Sequence, residues 1–272
     1  MRATVVVDNL RSGGLAGEWG LCLFLEYRGK KLLLDTGASA LFAENADRLG
    51  LPLEEADYAV LSHAHYDHAN GLERFFQRNG HAKLFLREAC GENCYHKKGF
   101  FHRYIGMPRG VLASYPDRIQ RVSGNFRICE GVCLVPHTTP GLEAVGRRER
   151  MYLRKEGRWV PDDFSHEQSL VCETSRGLVV FNSCSHGGAA NLIREAEAAL
   201  PGRKVLALVG GLHLHNKTEA EVRALAGDLR ATGIEAVYTG HCTGPKAFAL
   251  LREELGGVVR QFHTGLVMDF AD

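Results

Sequence analysis

The sequence predicts an α/β fold, and three observations carry that prediction. Short β-branched or leucine-rich runs alternate with amphipathic stretches that have helical spacing. Glycine and proline punctuate the joins between them. The order of elements in the second half of the chain echoes the first. In order, residues 3–8 are β-branched and read as a strand. Residues 21–27 and 31–35 flank Arg28-Gly29-Lys30 and read as a hairpin with glycine in its turn. Leu41, Phe42, Ala46 and Leu49 share a helical face over 41–50, which Gly50 ends. A strand over 57–61, a helix over 72–77 and a strand over 83–87 follow. The second half has strands over 178–181, 205–209 and 236–238. Its first helix, over 189–200, stops at Pro201-Gly202. Thr218 and Glu221 form a capping box that opens a helix to about residue 231. Pro245 starts another helix at a favoured position, and 258–270 reads as a closing strand pair.

Composition narrows the function. The chain has 272 residues, 33 basic and 32 acidic, for a formal net charge of +1. That balance argues against sequence-blind nucleic-acid binding, which needs excess basic charge. A hydrophobic fraction of 45% and a charged fraction of 24% are those of a folded globular chain. No apolar run is long enough to span a membrane. The first residues meet an acid, Asp8, too early for a signal peptide. Eight cysteines are too few for a disulfide scaffold. The expected compartment is the cytoplasm.

The chemistry sits at strand ends. Leu61-Ser62-His63-Ala64-His65-Tyr66-Asp67-His68 follows an apolar run and precedes a helix. Three imidazoles and a carboxylate so close together form a dense set of metal donors suited to zinc, iron or manganese. Asp35, after Leu32-Leu33-Leu34, reads either as an acid that orients a ligand histidine or as a turn residue before Thr36-Gly37. Further strand ends carry Cys184 and His186, His213 and His215, and His241 and Cys242. Sites in α/β folds assemble where such ends converge. His213 reads either as a substrate or orienting contact or as a core histidine held by backbone, and His215 as a surface residue. His137 is a further candidate to reach the site.

Residues 90–165 have weak periodicity and read as a long insertion or lid, with short strands at 126–128 and 132–135. Lys97, Lys98, Arg103 and Arg109 are interleaved there with Phe100, Phe101 and Tyr104. The stretch reads either as a solvated lid face or as a wall that binds an anionic substrate. Cys90-x-x-x-Cys94 and Cys129-x-x-x-Cys133 have the form of a paired metal knuckle, but on strands that spacing reads as packing.

His63-x-His65-x-Asp67-His68, with Leu33-Leu34-Asp35-Thr36-Gly37 upstream, resembles the metallo-β-lactamase superfamily. Asn182-Ser183-Cys184-Ser185-His186-Gly187, Gly210-Gly211-Leu212-His213-Leu214 and Tyr238-Thr239-Gly240-His241-Cys242-Thr243-Gly244 are similar to its dihydropterin-ribofuranosylaminobenzene phosphate synthase-like subfamily, as is the stretch Asp163-Phe164-Ser165-His166-Glu167-Gln168. The resemblance runs over about residues 3–270 and is weakest in 90–160. It implies one domain over 1–272: an αββα sandwich of two mixed β-sheets with outer helices. It implies one metal on His63, His65 and a later histidine, and a second on Asp67, His68 and His241. Two departures stand out. Cys184 occupies the place of the superfamily's bridging aspartate. Thr139-Pro140-Gly141 is followed by Leu142 in place of a histidine, and His186 is expected to substitute. The full expected ligand set is thus His63, His65, Asp67, His68, Cys184, His186 and His241.

The expected function is metal-dependent hydrolysis of a small anionic substrate, phosphoester- or lactone-like, through a metal-bound hydroxide. Zinc is the expected cofactor, as one or two ions, with iron or manganese as alternatives. Asp67 and His213 are the expected catalytic residues. The subfamily implies a different reaction, a transfer that releases pyrophosphate. A non-catalytic metal-bound sensor is the alternative of another class.

Overall fold

A computed structural model describes residues 1–271. Two seven-stranded sheets form its centre. The first runs in the order Val267–Asp269, Arg2–Val7, Cys22–Tyr27, Lys30–Leu34, Tyr58–Val60, Lys83–Arg87, Ile119–Val122. The second runs Val259–Gln261, Ala236–Thr239, Val205–Val209, Leu178–Phe181, Gln168–Glu173, Val132–Pro136, Phe126–Cys129. Both mix antiparallel and parallel pairs.

Three apolar clusters show the four-layer αββα stack. One packs the helices Leu41–Leu49 and Leu72–Arg78 on the outer face of the first sheet through Phe42, Ala46, Phe75 and Phe76. A second fills the space between the sheets, with Leu23, Leu25 and Leu32 facing Leu170, Phe181 and Val209. A third packs Ile193, Leu229 and Leu251 of three further helices against Val180 and Leu208. The strands are buried on both faces, which is why they read as continuous apolar runs and not as alternating ones. Thr218 and Glu221 close the expected capping box.

Two expectations change. The stretch 90–165 is not a single insertion. Its middle supplies Ile119–Val122 to the first sheet and Phe126–Cys129 and Val132–Pro136 to the second. The flanks build a separate four-stranded sheet in the order Arg158–Pro161, Met151–Lys155, Tyr95–Lys98, Phe101–Tyr104. The expected closing strand pair also divides. Val259–Gln261 joins the second sheet in parallel with Ala236–Thr239, while Val267–Asp269 crosses to pair with Arg2–Val7. These two strands do not pair with each other because the link between them carries the chain from the second sheet to the first.

The parallel strands of both sheets deliver their C-terminal ends to one edge. Ser183 Oγ donates to Asp35 Oδ2 at 2.5 Å, tying the end of Leu178–Phe181 to the end of Lys30–Leu34. The approach is close enough to need glycine. A Cβ at Gly211 would lie 2.5 Å from Cys242 Sγ, and one at Gly210 1.5 Å from the Asn182 carbonyl oxygen.

Candidate metal centre

The backbone at this edge is strained in a consistent way. Asp35, Ser185, His213 and His241 all take positive φ, at 60°, 54°, 49° and 46°. Non-glycine residues hold that conformation only where the surroundings dictate it, and such residues cluster at functional sites.

Hydrogen bonding fixes which nitrogen of each imidazole is free. The Ser62 hydroxyl donates to Asp35 Oδ2 at 2.7 Å, so its oxygen is left to accept from His63 Nδ1 at 2.8 Å. His68 Nδ1 donates to Asp35 Oδ2 at 2.9 Å, His186 Nδ1 to Glu167 Oε2 at 2.5 Å, and His241 Nδ1 to Asn9 Oδ1 at 3.1 Å. Each ring therefore turns Nε2 inward. The buried Nε2 atoms of His63, His65, His186 and His241 have no hydrogen-bond partner among the described residues. Orphaned buried polar atoms cost free energy, so this many in one place signals a missing partner.

The inward atoms converge. One ligand atom from each of His63, His65 and His186 lies within 4.8 Å of the others. His68 Nε2 and His241 Nε2 lie 3.7 and 3.5 Å from Asp67 Oδ2. Cys184 Sγ is 3.3 Å from His68 Nε2. The thiol groups with His63 and His68, with His186 and His213, and with His241 and Cys242. It thus sits between the two histidine sets, where a bridging ligand would stand. The donor set fits one or two divalent cations.

Electrostatics agree. Burial and neighbouring imidazoles push His63 and His65 well below the usual histidine range, so both stay neutral and able to ligate. Burial alone would raise Asp67, but His68 and His241 outweigh it and hold the carboxyl below its ordinary range. Burial also opposes a charge on His68, yet Asp67 and Asp35 raise it to about 9. In the metal-free chain a proton on His68 answers the carboxylates, and metal binding would release it. Burial, with Cys242 alongside, pushes the Cys184 thiol up.

His213 is buried, with neither ring nitrogen hydrogen-bonded; its ring is 4.5 Å from that of His186, and Nε2 is 3.6 Å from Glu149 Oε2. His215 is exposed, as expected. His137 does not enter the centre. It sits behind it, 3.0 Å from Glu167 Oε1 and 3.1 Å from Glu195 Oε2. The cysteine pairs do not form one knuckle. Cys90 and Cys94 are in the outer cluster of the first sheet, and Cys129 packs against the inter-sheet cluster.

Sequence reading gave no role to Asp8, Asn9, Ser62, Glu167, Ser183 or Trp19. Asp8 Oδ1 accepts from His241 N at 2.8 Å, and Trp19 stands 5.3 Å from the His241 ring. Glu167 and Ser183 carried a signal, through their places in the subfamily phrases, and Ser62 stood in the quoted loop. A further buried group, His65, Cys94, Asp162 and His166, has metal-like spacing. Its hydrogen bonds are of the opposite kind. Ala64 N–H donates to His166 Nδ1 at 3.2 Å, so the proton is on Nε2, which faces Asp162 Oδ2 at 3.1 Å. His166 thus brackets the backbone between His63 and His65.

The metallo-beta-lactamase superfamily model matches residues 20–145. The solved structure of Tm1679, a metal-dependent hydrolase of the beta-lactamase superfamily, is 27% identical and superposes over the full length of both chains with a TM-score of 0.85. The chain is thus similar to the metallo-β-lactamase superfamily in sequence over those residues and in fold over its full length. Among curated proteins, the chain is 25% identical to the 7,8-dihydropterin-6-methyl-4-(beta-D-ribofuranosyl)-aminobenzene-5'-phosphate synthase of Methanocaldococcus jannaschii, over 97% of this chain and 98% of that one. A diphosphatase of the PhnP family shares the fold at 14% identity and a TM-score of 0.57, covering 99% of this chain and 97% of that one. The metallo-β-lactamase fold implies metal binding, in keeping with the converging donors. No helix among the described residues is long and apolar enough to cross a membrane.

Proposed function

We propose that this protein is a metal-dependent hydrolase of the metallo-β-lactamase superfamily that cleaves a phosphoester- or lactone-like bond in a small anionic substrate. One observation carries the reading: buried imidazoles tied outward through Nδ1 leave unpartnered Nε2 atoms converging on one another. His63, His65 and His186 would hold one cation, Asp67, His68 and His241 a second, and Cys184 would lie between them. Mixed imidazole, carboxylate and thiolate donors favour zinc over iron or manganese. A metal bound there would acidify water and polarise a phosphoryl or carbonyl oxygen of the substrate.

The chain's own residues do the rest. Asp67, ionised, orients the attacking water through the carboxylate oxygen left free. His213 gives a proton to the departing oxygen, and Glu149 steadies its ring. Trp19 covers the outer side of His241 and limits water there. All the cysteines are free, which supports a reducing, cytoplasmic setting.

Metal analysis tests the reading, with wild type and Cys184→Ala prepared alike. The expected result is about two ions per chain, falling toward one in the variant, with hydrolysis of a phosphodiester, phosphomonoester or lactone lost in His63→Ala. A metal-loaded chain that hydrolyses none of these substrates refutes it. A second reading, a transferase that releases pyrophosphate, is favoured by the full-length similarity to the archaeal synthase. Pyrophosphate release without ester cleavage would select it.

A further inference from the structure

Beside the metal loop lies a cavity of about 420 Å³ that none of the candidate metal ligands lines. Tyr66 and Asn70 of the loop form one wall; His96 and Arg103 of the separate four-stranded sheet form the other. The two walls are locked together. Tyr66 N donates to Ile105 O and Met107 N to Ala64 O, each at 2.9 Å, so residues 105–107 run beside the loop like a strand. His65 forms an isolated bridge with Gly106. The cavity is thereby held one residue away from a candidate ligand.

Its polar groups are all donors or amphoteric, and no carboxylate lines it. His96 and Arg103 are directly opposite across their strand pair, so both face the same side of the small sheet. The Arg103 guanidinium has no ion pair or side-chain hydrogen bond among the described residues. Burial and the charges of Arg150 and Arg103 lower the pKa of His96, leaving a neutral ring with one N–H to donate. Tyr66 stands in the chain between the candidate ligands His65 and Asp67, which places the cavity next to the metal centre. Tyr104 gives the cavity a stiff side, its hydroxyl donating to Met107 O at 2.6 Å and its ring covered by Arg109.

We propose that this cavity holds a phosphate group of the substrate, gripped by the fork of Arg103 and by Asn70, His96 and Tyr66. A planar guanidinium binds a phosphate through two parallel hydrogen bonds, and a cavity without acids suits a dianion. Since no metal ligand lines the cavity, the group held there is an anchor and is not the bond that is cleaved. The substrate class narrows to small phosphorylated molecules whose scissile bond lies apart from that phosphate. The inference rests on the hydrolase reading for what is cleaved but not for what is bound.

The test is calorimetric titration of inorganic phosphate into the metal-loaded full chain, with acetate as the comparison anion. Arg103→Met should weaken phosphate binding roughly tenfold or more, and Arg103→Lys should restore part of it. Lys97→Met, on the opposite face of the same small sheet beside Tyr152, should leave it unchanged. Metal content and melting temperature report that each variant is folded. Phosphate affinity that ignores Arg103, an equal loss in Lys97→Met, or acetate binding as tight as phosphate would overturn the proposal. The two readings fail separately. A chain without turnover that still needs Arg103 to bind phosphate keeps the subsite. A chain with turnover whose phosphate affinity ignores Arg103 loses it.

Discussion

The candidate ligand histidines depend on residues outside the proposed ligand set, and Glu167 shows how. Its carboxylate accepts from both His186 N, at 3.1 Å, and His186 Nδ1, at 2.5 Å. Burial alone would raise Glu167, but His186 and His137 hold its carboxyl well below the usual range. The negative charge makes His186 a stronger donor and fixes its ring. Glu167→Gln keeps the shape and removes the charge, so metal affinity should fall by about 10- to 100-fold. Competition with a chromophoric chelator measures this, and unchanged affinity would reduce Glu167 to a packing residue. The candidate ligands themselves were legible in the sequence because His63, His65, Asp67 and His68 crowd into a single loop. Asp8 and Asn9 were not. Each is an ordinary polar residue until the fold brings it against a ring from a distant segment.

At the scale of elements, His137 joins three pieces of the second half. It follows the strand Val132–Pro136, meets Glu167 before the strand Gln168–Glu173, and meets Glu195 on the helix Ala189–Ala199. Burial works against its charge, but Glu167 and Glu195 raise it to about 9 from an ordinary 6.5. A folded-state pKa above the unfolded value stabilises the fold at low pH. The contribution is whole below pH 6.5 and is lost as pH rises through about 9. His137→Gln should therefore cost on the order of 2 kcal/mol near pH 6 and much less near pH 10. Urea unfolding of both proteins at the two pH values checks the slope, and a pH-independent difference would mean that His137 is neutral in the fold. The elements that sequence reading resolved are long or strongly apolar, such as Val205–Val209 and Ala189–Ala199. The strands Tyr95–Lys98 and Phe101–Tyr104 escaped it because their exposed residues carry no alternation of polarity.

For the whole molecule, the centre is where the two halves of the sandwich meet. His63, His65, Asp67 and His68 follow a strand of the first sheet, while Cys184, His186 and His241 follow strands of the second. In the protein alone, polar contacts such as Ser183 to Asp35 and His241 N to Asp8 join the two edges. A cation held by donors from both sides ties them directly, and it binds only the folded chain. Metal at about a thousandfold above its dissociation constant should add roughly 4 kcal/mol to stability. For a chain of this size that is a melting temperature higher by roughly 10 °C. Thermal unfolding before and after chelation and dialysis measures the difference. The same treatment should barely move His63→Ala, whose first ligand set is broken. If verified metal removal leaves the wild-type melting temperature where it was, the cation does not span the sheets. The convergence of imidazoles would then have to be held by the protein's own hydrogen bonds, with Asp35, Glu167 and Asn9 carrying the join.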